Sequence, residues 1–121
     1  MPTILIAEDE PDIRALVTIA LENQGYRVTA VADGASALET ITRDQPDLVL
    51  LDVRMPRLDG YEVCRRIKGE ASLRHIPVAF MSAKGQKAEV RAGMEAGADA
   101  YILKPFSMQQ LLDKVAEILG H

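Results

Sequence analysis

Three small clusters of chemically capable side chains each follow a short apolar run. Glu8-Asp9 comes after Thr3 to Ala7, Asp52 after Leu48 to Leu51, and Lys104-Pro105 after Tyr101 to Leu103. A run of branched residues bounded by turn chemistry reads as a strand buried on both faces, the kind found in a parallel sheet flanked by helices. Such sheets bind ligands beyond the carboxyl ends of their strands, so three carboxylates and one ammonium are predicted to converge on one edge. Two carboxylates about 4 Å apart repel by roughly 4 kcal/mol at an effective dielectric of about 20, and a third adds to this. Either a proton or a cation must sit among them. Oxygen ligands at a solvent-open sheet edge suit a hard, water-retaining ion, Mg²⁺ rather than zinc. Mg²⁺ beside a carboxylate and a lysine makes a site suited to handling a phosphoryl group.

The elements that must position these groups alternate at short, regular spacing. Pro11 suits an early helical position, and Ile13, Leu16, Val17, Ala20 and Leu21 form the apolar stripe of a first helix ended by Gly25. Arg27 to Val31 is a second strand, Asp33 caps a helix carrying Ala37, Leu38 and Ile41, and Pro46 precedes the third strand, which Asp52 closes. Asp59-Gly60 opens a helix using Val63 and Ile67, Ile76 to Met81 is a fourth strand, and a helix holding Val90 and Met94 ends near Gly97. After the fifth strand, Ser107-x-x-Gln110 is a capping-box signature for a last helix with Met108, Leu111, Leu112, Val115 and Ile118. Five strands alternating with five helices predict an α/β doubly wound parallel sheet.

The 121 residues are 48% hydrophobic and 26% charged, enough for one domain, residues 1–121, with a single core. Net charge is −4, with four acids and no base among the first twelve residues, which disfavours nonspecific nucleic-acid binding. The single cysteine, Cys64, excludes an internal disulfide and suits a reducing cytosol. No segment approaches the roughly 18 apolar residues of a membrane span, and the expectation is a cytoplasmic protein without membrane contact.

The motifs together closely resemble the receiver domains of bacterial two-component response regulators, the CheY-like family. The resemblance runs from Thr3 to Leu119 and is carried by Glu8-Asp9, Leu50-Leu51-Asp52-Val53-Arg54-Met55-Pro56, Asp59-Gly60, Met81-Ser82-Ala83, Gly97-Ala98-Asp99-Ala100-Tyr101 and Lys104-Pro105-Phe106. It implies a flavodoxin-like sheet in the order 2-1-3-4-5. It further implies that Asp52 is the phosphoacceptor, and that Asp9, Asp52 and the Arg54 backbone carbonyl bind Mg²⁺ directly while Glu8 acts mainly through water. Lys104, in a cis peptide bond with Pro105, and the Ser82 hydroxyl would contact the phosphoryl group. Tyr101 would be the switch residue, altering the surface of the fourth helix, fifth strand and fifth helix that an effector protein or domain reads.

Each residue also has a plainer reading. Asp52 could merely end a strand, acids in Glu8-Asp9-Glu10-Pro11-Asp12 favour a helix N-terminus, serine after a strand is commonly a turn residue, and Tyr101 fits a half-buried strand aromatic. Cys64 reads as a small apolar helix residue, Gly93 and Gly97 as a packing glycine and a helix cap, and Arg65-Arg66 as solvated charges. His75 and His121 receive no role. The predicted chemistry is transfer of a phosphoryl group from the phosphohistidine of a histidine kinase or phosphotransfer protein to Asp52, followed by hydrolysis at the same site. That describes a self-modifying switch rather than a turnover enzyme. Glu8-Asp9-Glu10 would repel the phosphate of a flavin carrier, and Arg54 stands where an aspartyl-phosphate hydrolase usually carries its second aspartate. A degenerate receiver acting as a phosphorylation-independent docking module remains the alternative.

Three departures from the family's common pattern bear on behaviour. Glu8 replaces a frequent aspartate, adding a methylene at the metal's water shell. Arg54 and Lys84, two residues beyond Asp52 and Ser82, occupy positions that by resemblance tune the lifetime of the phosphorylated state, and two basic side chains there are predicted to prolong it. Asp99-Ala100-Tyr101, Gln110 and Lys114 depart from the pattern of regulators that dimerise through their last two helices, so that mode of dimerisation is not expected. The sequence stops shortly after the last helix, which fits either a stand-alone receiver or one excised from a longer regulator.

Overall fold

Side chains alternate in direction along a strand, so a buried parallel strand must feed two cores at once. The computed structural model of the protein describes residues 2–82, 87–103 and 107–120. Its strands are β1 (Thr3–Ala7), β2 (Arg27–Val31), β3 (Leu48–Asp52), β4 (Val78–Ser82) and β5 (Ala100–Leu103). The helices are α1 (Pro11–Asn23), α2 (Gly34–Asp44), α3 (Gly60–Gly69), α4 (Lys87–Glu95) and α5 (Met108–Leu119). All strand pairs are parallel and the order is β2-β1-β3-β4-β5, as the family resemblance implied.

Ile4, Ile6, Leu48, Leu50, Ala79, Met81 and Ile102 pack on one face against Val17 and Leu21 of α1 and Leu111 and Val115 of α5. Leu5, Ala7, Val49, Leu51, Val78 and Phe80 pack on the other against α2 and α3, with Ala37, Ile41, Val63, Cys64 and Ile67. The direction in which successive strands are added to the sheet reverses between β1 and β3. The carboxyl ends of those two strands carry Glu8-Asp9 and Asp52.

Several local expectations hold. Asp33 accepts from the Ser36 amide at 2.7 Å and Asp59 from the Glu62 amide at 2.9 Å, each capping its helix. Ser107 and Gln110 complete a reciprocal capping box at 3.0 and 2.8 Å. Cys64 is fully buried, its thiol 3.4 Å from the Ala96 carbonyl, and burial pushes its pKa up to about 11, so it is a protonated packing residue at neutral pH. Arg65 and Arg66 both lie 3.1 Å from Glu62 on an exposed face.

Four expectations are corrected. The fourth strand begins at Val78 rather than Ile76. Pro77 has no amide to give to the ladder, although its carbonyl accepts from Val49 at 3.0 Å, and the Ile76 amide closes a turn onto Leu73 instead. Leu16 is 57% exposed although it was placed in the apolar stripe of α1. The buried arc of that helix is turned toward Arg14 and Thr18, because Arg14 Nη1 is tied to the Glu8 carbonyl at 2.8 Å. Met94, expected to face inward from α4, is 50% exposed, and Gly93 occupies the inner position. β5 also begins one residue earlier than expected, at Ala100.

One polar bolt ties the far end of the sheet. Lys68 Nζ lies 3.0 Å from Asp99 Oδ2 and donates to the Ile76 carbonyl at 2.7 Å and the Arg74 carbonyl at 3.2 Å. Asp99 in turn accepts from the Val78 amide at 2.8 Å. Hydrogen bonds to charged groups contribute about 1.5–3 kcal/mol each way of counting, whereas exposed ion pairs contribute about 0–1 kcal/mol. Lys68→Met is therefore expected to lower stability by about 1–3 kcal/mol. Arg43→Ala, which breaks an exposed pair with Asp44, should change it by under about 0.5 kcal/mol. Urea unfolding of the two variants measures the contrast.

Candidate functional site

The edge formed by the carboxyl ends of β1 and β3 is built by backbone constraints before any ligand is considered. The Glu8 amide donates to the Val31 carbonyl at 3.0 Å, which extends the β1–β2 pairing by one residue and buries the Glu8 side chain completely. Glu8 Oε2 accepts from the Glu10 amide at 3.2 Å, at the point where Glu10 caps α1 and Pro11 begins it. Asp9, between them, is left exposed.

Asp52 ends β3 opposite Met81 and is half-buried. Gly60 opens α3 directly beneath it, with its amide donating to the Val53 carbonyl at 2.9 Å. A Cβ at Gly60 would collide with the Asp52 carbonyl, so the close approach of α3 to the acid depends on glycine. The loop between β3 and α3 is also pressed onto α2, where a Cβ on Gly34 would collide with the Leu58 carbonyl. Within that loop Arg57 has φ 72°, a left-handed conformation, and the Leu58 amide donates to the Pro56 carbonyl at 2.8 Å. Arg57 Nη1 reaches Asp33 Oδ2 at 3.5 Å, and the Ser36 amide holds the Asp33 carboxyl below its ordinary pKa. The Arg54 amide donates to Asp52 Oδ1 at 3.4 Å, which draws the start of the β3–α3 loop in beside the acid.

These constraints bring one carboxylate oxygen from each of Glu8, Asp9 and Asp52 to within 4.8 Å of one another. Two direct ligands of a single Mg²⁺ at about 2.1 Å are at most about 4.2 Å apart, a little less than the 4.8 Å span, so the cluster suits one ion held directly by two of the acids and through a bound water by the third. The donor set is all oxygen and one member is exposed, which fits an ion that keeps several waters. Beside it an open cleft of about 750 Å³ is lined by Asp9, Arg54, Met55, Pro56, Tyr61 and Ala92.

Of the other predicted site residues, Ser82 ends β4 and pairs in register with Leu103, while its hydroxyl is outside what the structure describes. Lys84, Lys104 and Pro105, and with them the expected cis bond, also lie outside the described residues. Tyr101 is opposite Phe80 in the β4–β5 register, half-buried. Its hydroxyl is buried with no hydrogen-bond partner among the described residues. The sequence reading passed over Arg14, Tyr61 and Gly34. Tyr61 carried a visible signal, an aromatic in the first turn of the helix that Asp59-Gly60 opens.

A five-stranded doubly wound sheet with an acidic pocket at its switch point is the fold and site of a receiver domain. The chain belongs to the response regulator receiver domain family, whose model matches residues 4–116. It is 43% identical over 121 residues to the transcriptional regulatory protein CseB of Streptomyces coelicolor, covering 98% of this chain and 50% of that protein. The chain thus spans about half the length of the curated relatives it matches. Among solved structures, a putative response regulator from Chloroflexus aurantiacus superposes with a TM-score of 0.94 at 34% identity, covering 99% of this chain and 98% of that one. The receiver domain of sensor histidine kinase PA1611 from Pseudomonas aeruginosa, with a magnesium ion coordinated in its active site cleft, gives a TM-score of 0.92 at 32% identity, with 99% and 98% covered.

Gly60→Ala should displace the Asp52 carbonyl and weaken Mg²⁺ binding by about tenfold, the scale seen when support for metal ligands is disturbed. Gly69→Ala, at the other end of α3, meets nothing within 4 Å and should leave it unchanged. Calorimetric titration with Mg²⁺ reads both.

Proposed function

We propose that this receiver domain accepts a phosphoryl group on Asp52 from the phosphohistidine of a histidine kinase or phosphotransfer protein in the cytoplasm. The observation that carries the proposal is the approach of the Glu8, Asp9 and Asp52 carboxylates to within 4.8 Å at the switch point of the sheet. Glu8, Asp9, Asp52 and the Arg54 carbonyl would hold Mg²⁺, which when bound supplies positive charge against the oxygens of the phosphoryl group.

In the transfer, an Asp52 carboxylate oxygen forms the new P–O bond as the P–N bond to the donor imidazole breaks, and the imidazole takes up a proton to leave neutral. Little covalent assistance is needed, so positioning and electrostatics carry the rate. Asp52 is fixed for this role from both sides, by the β3 ladder and by Gly60. Lys104 and the Ser82 hydroxyl are assigned to the phosphoryl oxygens by resemblance. Tyr101 is assigned to the switch that alters the α4-β5-α5 face, to be read by an effector protein or domain, with neither nucleic acid nor membrane as a direct partner. Hydrolysis by water at the same site would return the domain to its starting state, so the output is a population shift and not a released product.

Incubation with acetyl phosphate and Mg²⁺ followed by intact mass measurement tests the acceptor. One phosphoryl adduct is expected for the wild type, with none in chelator and none for Asp52→Asn. No adduct from either acetyl phosphate or a phosphorylated kinase, in folded protein that binds Mg²⁺, would instead support a docking module.

Arg54 and Lys84 are proposed to slow the attack of water on the phosphorylated state, and Arg54 is exposed at the cleft where that water would enter. Arg54→Ala should therefore shorten the half-life of phosphorylated protein several-fold, followed by mass spectrometry after removal of the donor. An unchanged or longer half-life would remove Arg54 from this role.

A further inference from the structure

Between the acidic pocket and the α4–β5 face, the structure holds a row of three aromatic rings. Tyr61, in the first turn of α3, lines the cleft beside Asp9 and Arg54. Its ring meets Phe80 of β4 edge-on, with centroids 5.3 Å apart and an interplanar angle of 63°. Phe80 in turn lies 6.0 Å from Tyr101 of β5, tilted by 48°. Phe80 and Tyr101 are partners in the β4–β5 register, so their side chains leave the sheet on the same face.

The row is closed from above by α4. A Cβ at Gly93 would lie 3.0 Å from Phe80 Cδ2 and 3.2 Å from Tyr101 Cε2, tighter than ordinary contact to both rings at once. Glycine therefore lets the helix rest directly on the pair. Rings in contact at these distances pass part of a displacement at one end on to the next, because close-packed interiors transmit strain. Tyr101, at the far end, lies half-buried on the edge strand, and none of the described residues holds its hydroxyl by a hydrogen bond.

We infer that Tyr61 is a positioning residue that couples occupancy of the acidic pocket to the state of Tyr101, acting through Phe80 and under the constraint of Gly93. The inference rests on the phosphoacceptor reading of Asp52 and adds to it a residue on α3 at the pocket mouth. Tyr61 acts by packing, so its ring matters and its hydroxyl does not.

The test uses ¹⁹F NMR of protein in which the three tyrosines are replaced by 3-fluorotyrosine, with Mg²⁺ and beryllofluoride as the phosphoryl mimic. Bound beryllofluoride is counted from its own ¹⁹F signal, and the Tyr101 resonance reports the far end of the row. In the wild type the mimic should shift the Tyr101 resonance. In Tyr61→Leu at equal mimic occupancy that shift should fall by at least half, and Tyr61→Phe should restore it. Gly93→Ala, which wedges a methyl between helix and rings, should likewise hold the Tyr101 resonance near its mimic-free position, and it keeps the test available if Tyr61→Leu fails to fold. A full Tyr101 shift in Tyr61→Leu or in Gly93→Ala at equal occupancy would overturn the inference while leaving the Asp52 reading intact. Absence of any bound beryllofluoride signal in the wild type would overturn the Asp52 reading and the inference with it.

Discussion

Three carboxylates held within 4.8 Å of one another are the constraint around which this structure is organised. Like charges at that separation repel by several kcal/mol at an effective dielectric near 20, so the rest of the fold must hold the three acids together. Backbone contacts do the holding. The Glu8 amide is bonded to Val31, the Glu8 carbonyl to Arg14, and Asp52 sits on the β3 ladder above Gly60. The Glu8–Val31 bond and the β3 ladder cannot relax without unpairing a strand. That repulsion would be relieved by a cation bound among the three acids.

The two-sided core explains why the pocket is so well supported. β1 and β3 are the central strands of the sheet, and both bury apolar side chains on each face against helices. A pocket at their carboxyl ends inherits that rigidity, whereas the β5 side is an edge where Tyr101 is only half-buried. Chemistry at a rigid centre and response at a looser edge is a workable division for a switch, because a fixed site can bias an element that has room to move. The row of Tyr61, Phe80 and Tyr101 spans these two regions.

The acidic pocket was legible because burial leaves so little choice. Strands such as Leu48 to Leu51 tolerate no polar side chain, so the first acid after them marks the strand end, and parallel topology puts such ends together. The capping box of Ser107 and Gln110 was legible because it is local, closed within one helical turn. What escaped was set by tertiary partners. Leu16 turns outward because Arg14 is drawn to a carbonyl of the β1–α1 connection, and Met94 does so because Gly93 is the residue that fits over two aromatic rings. The start of β4 was missed because Ile76 is as buried as a strand residue while lying in a turn that ends at a proline. Lys68 and Asp99 meet across 31 positions of sequence, and nothing local in either residue announces the other.

Thermal unfolding of the wild type and Asp9→Asn, each in chelator and in Mg²⁺, tests the central claim most directly. If repulsion among the three carboxylates governs the pocket, removing one charge should raise the melting temperature in chelator. Mg²⁺ should then raise that of the wild type and have little effect on the variant. A variant less stable than the wild type in chelator, together with a wild type indifferent to Mg²⁺, would contradict the account.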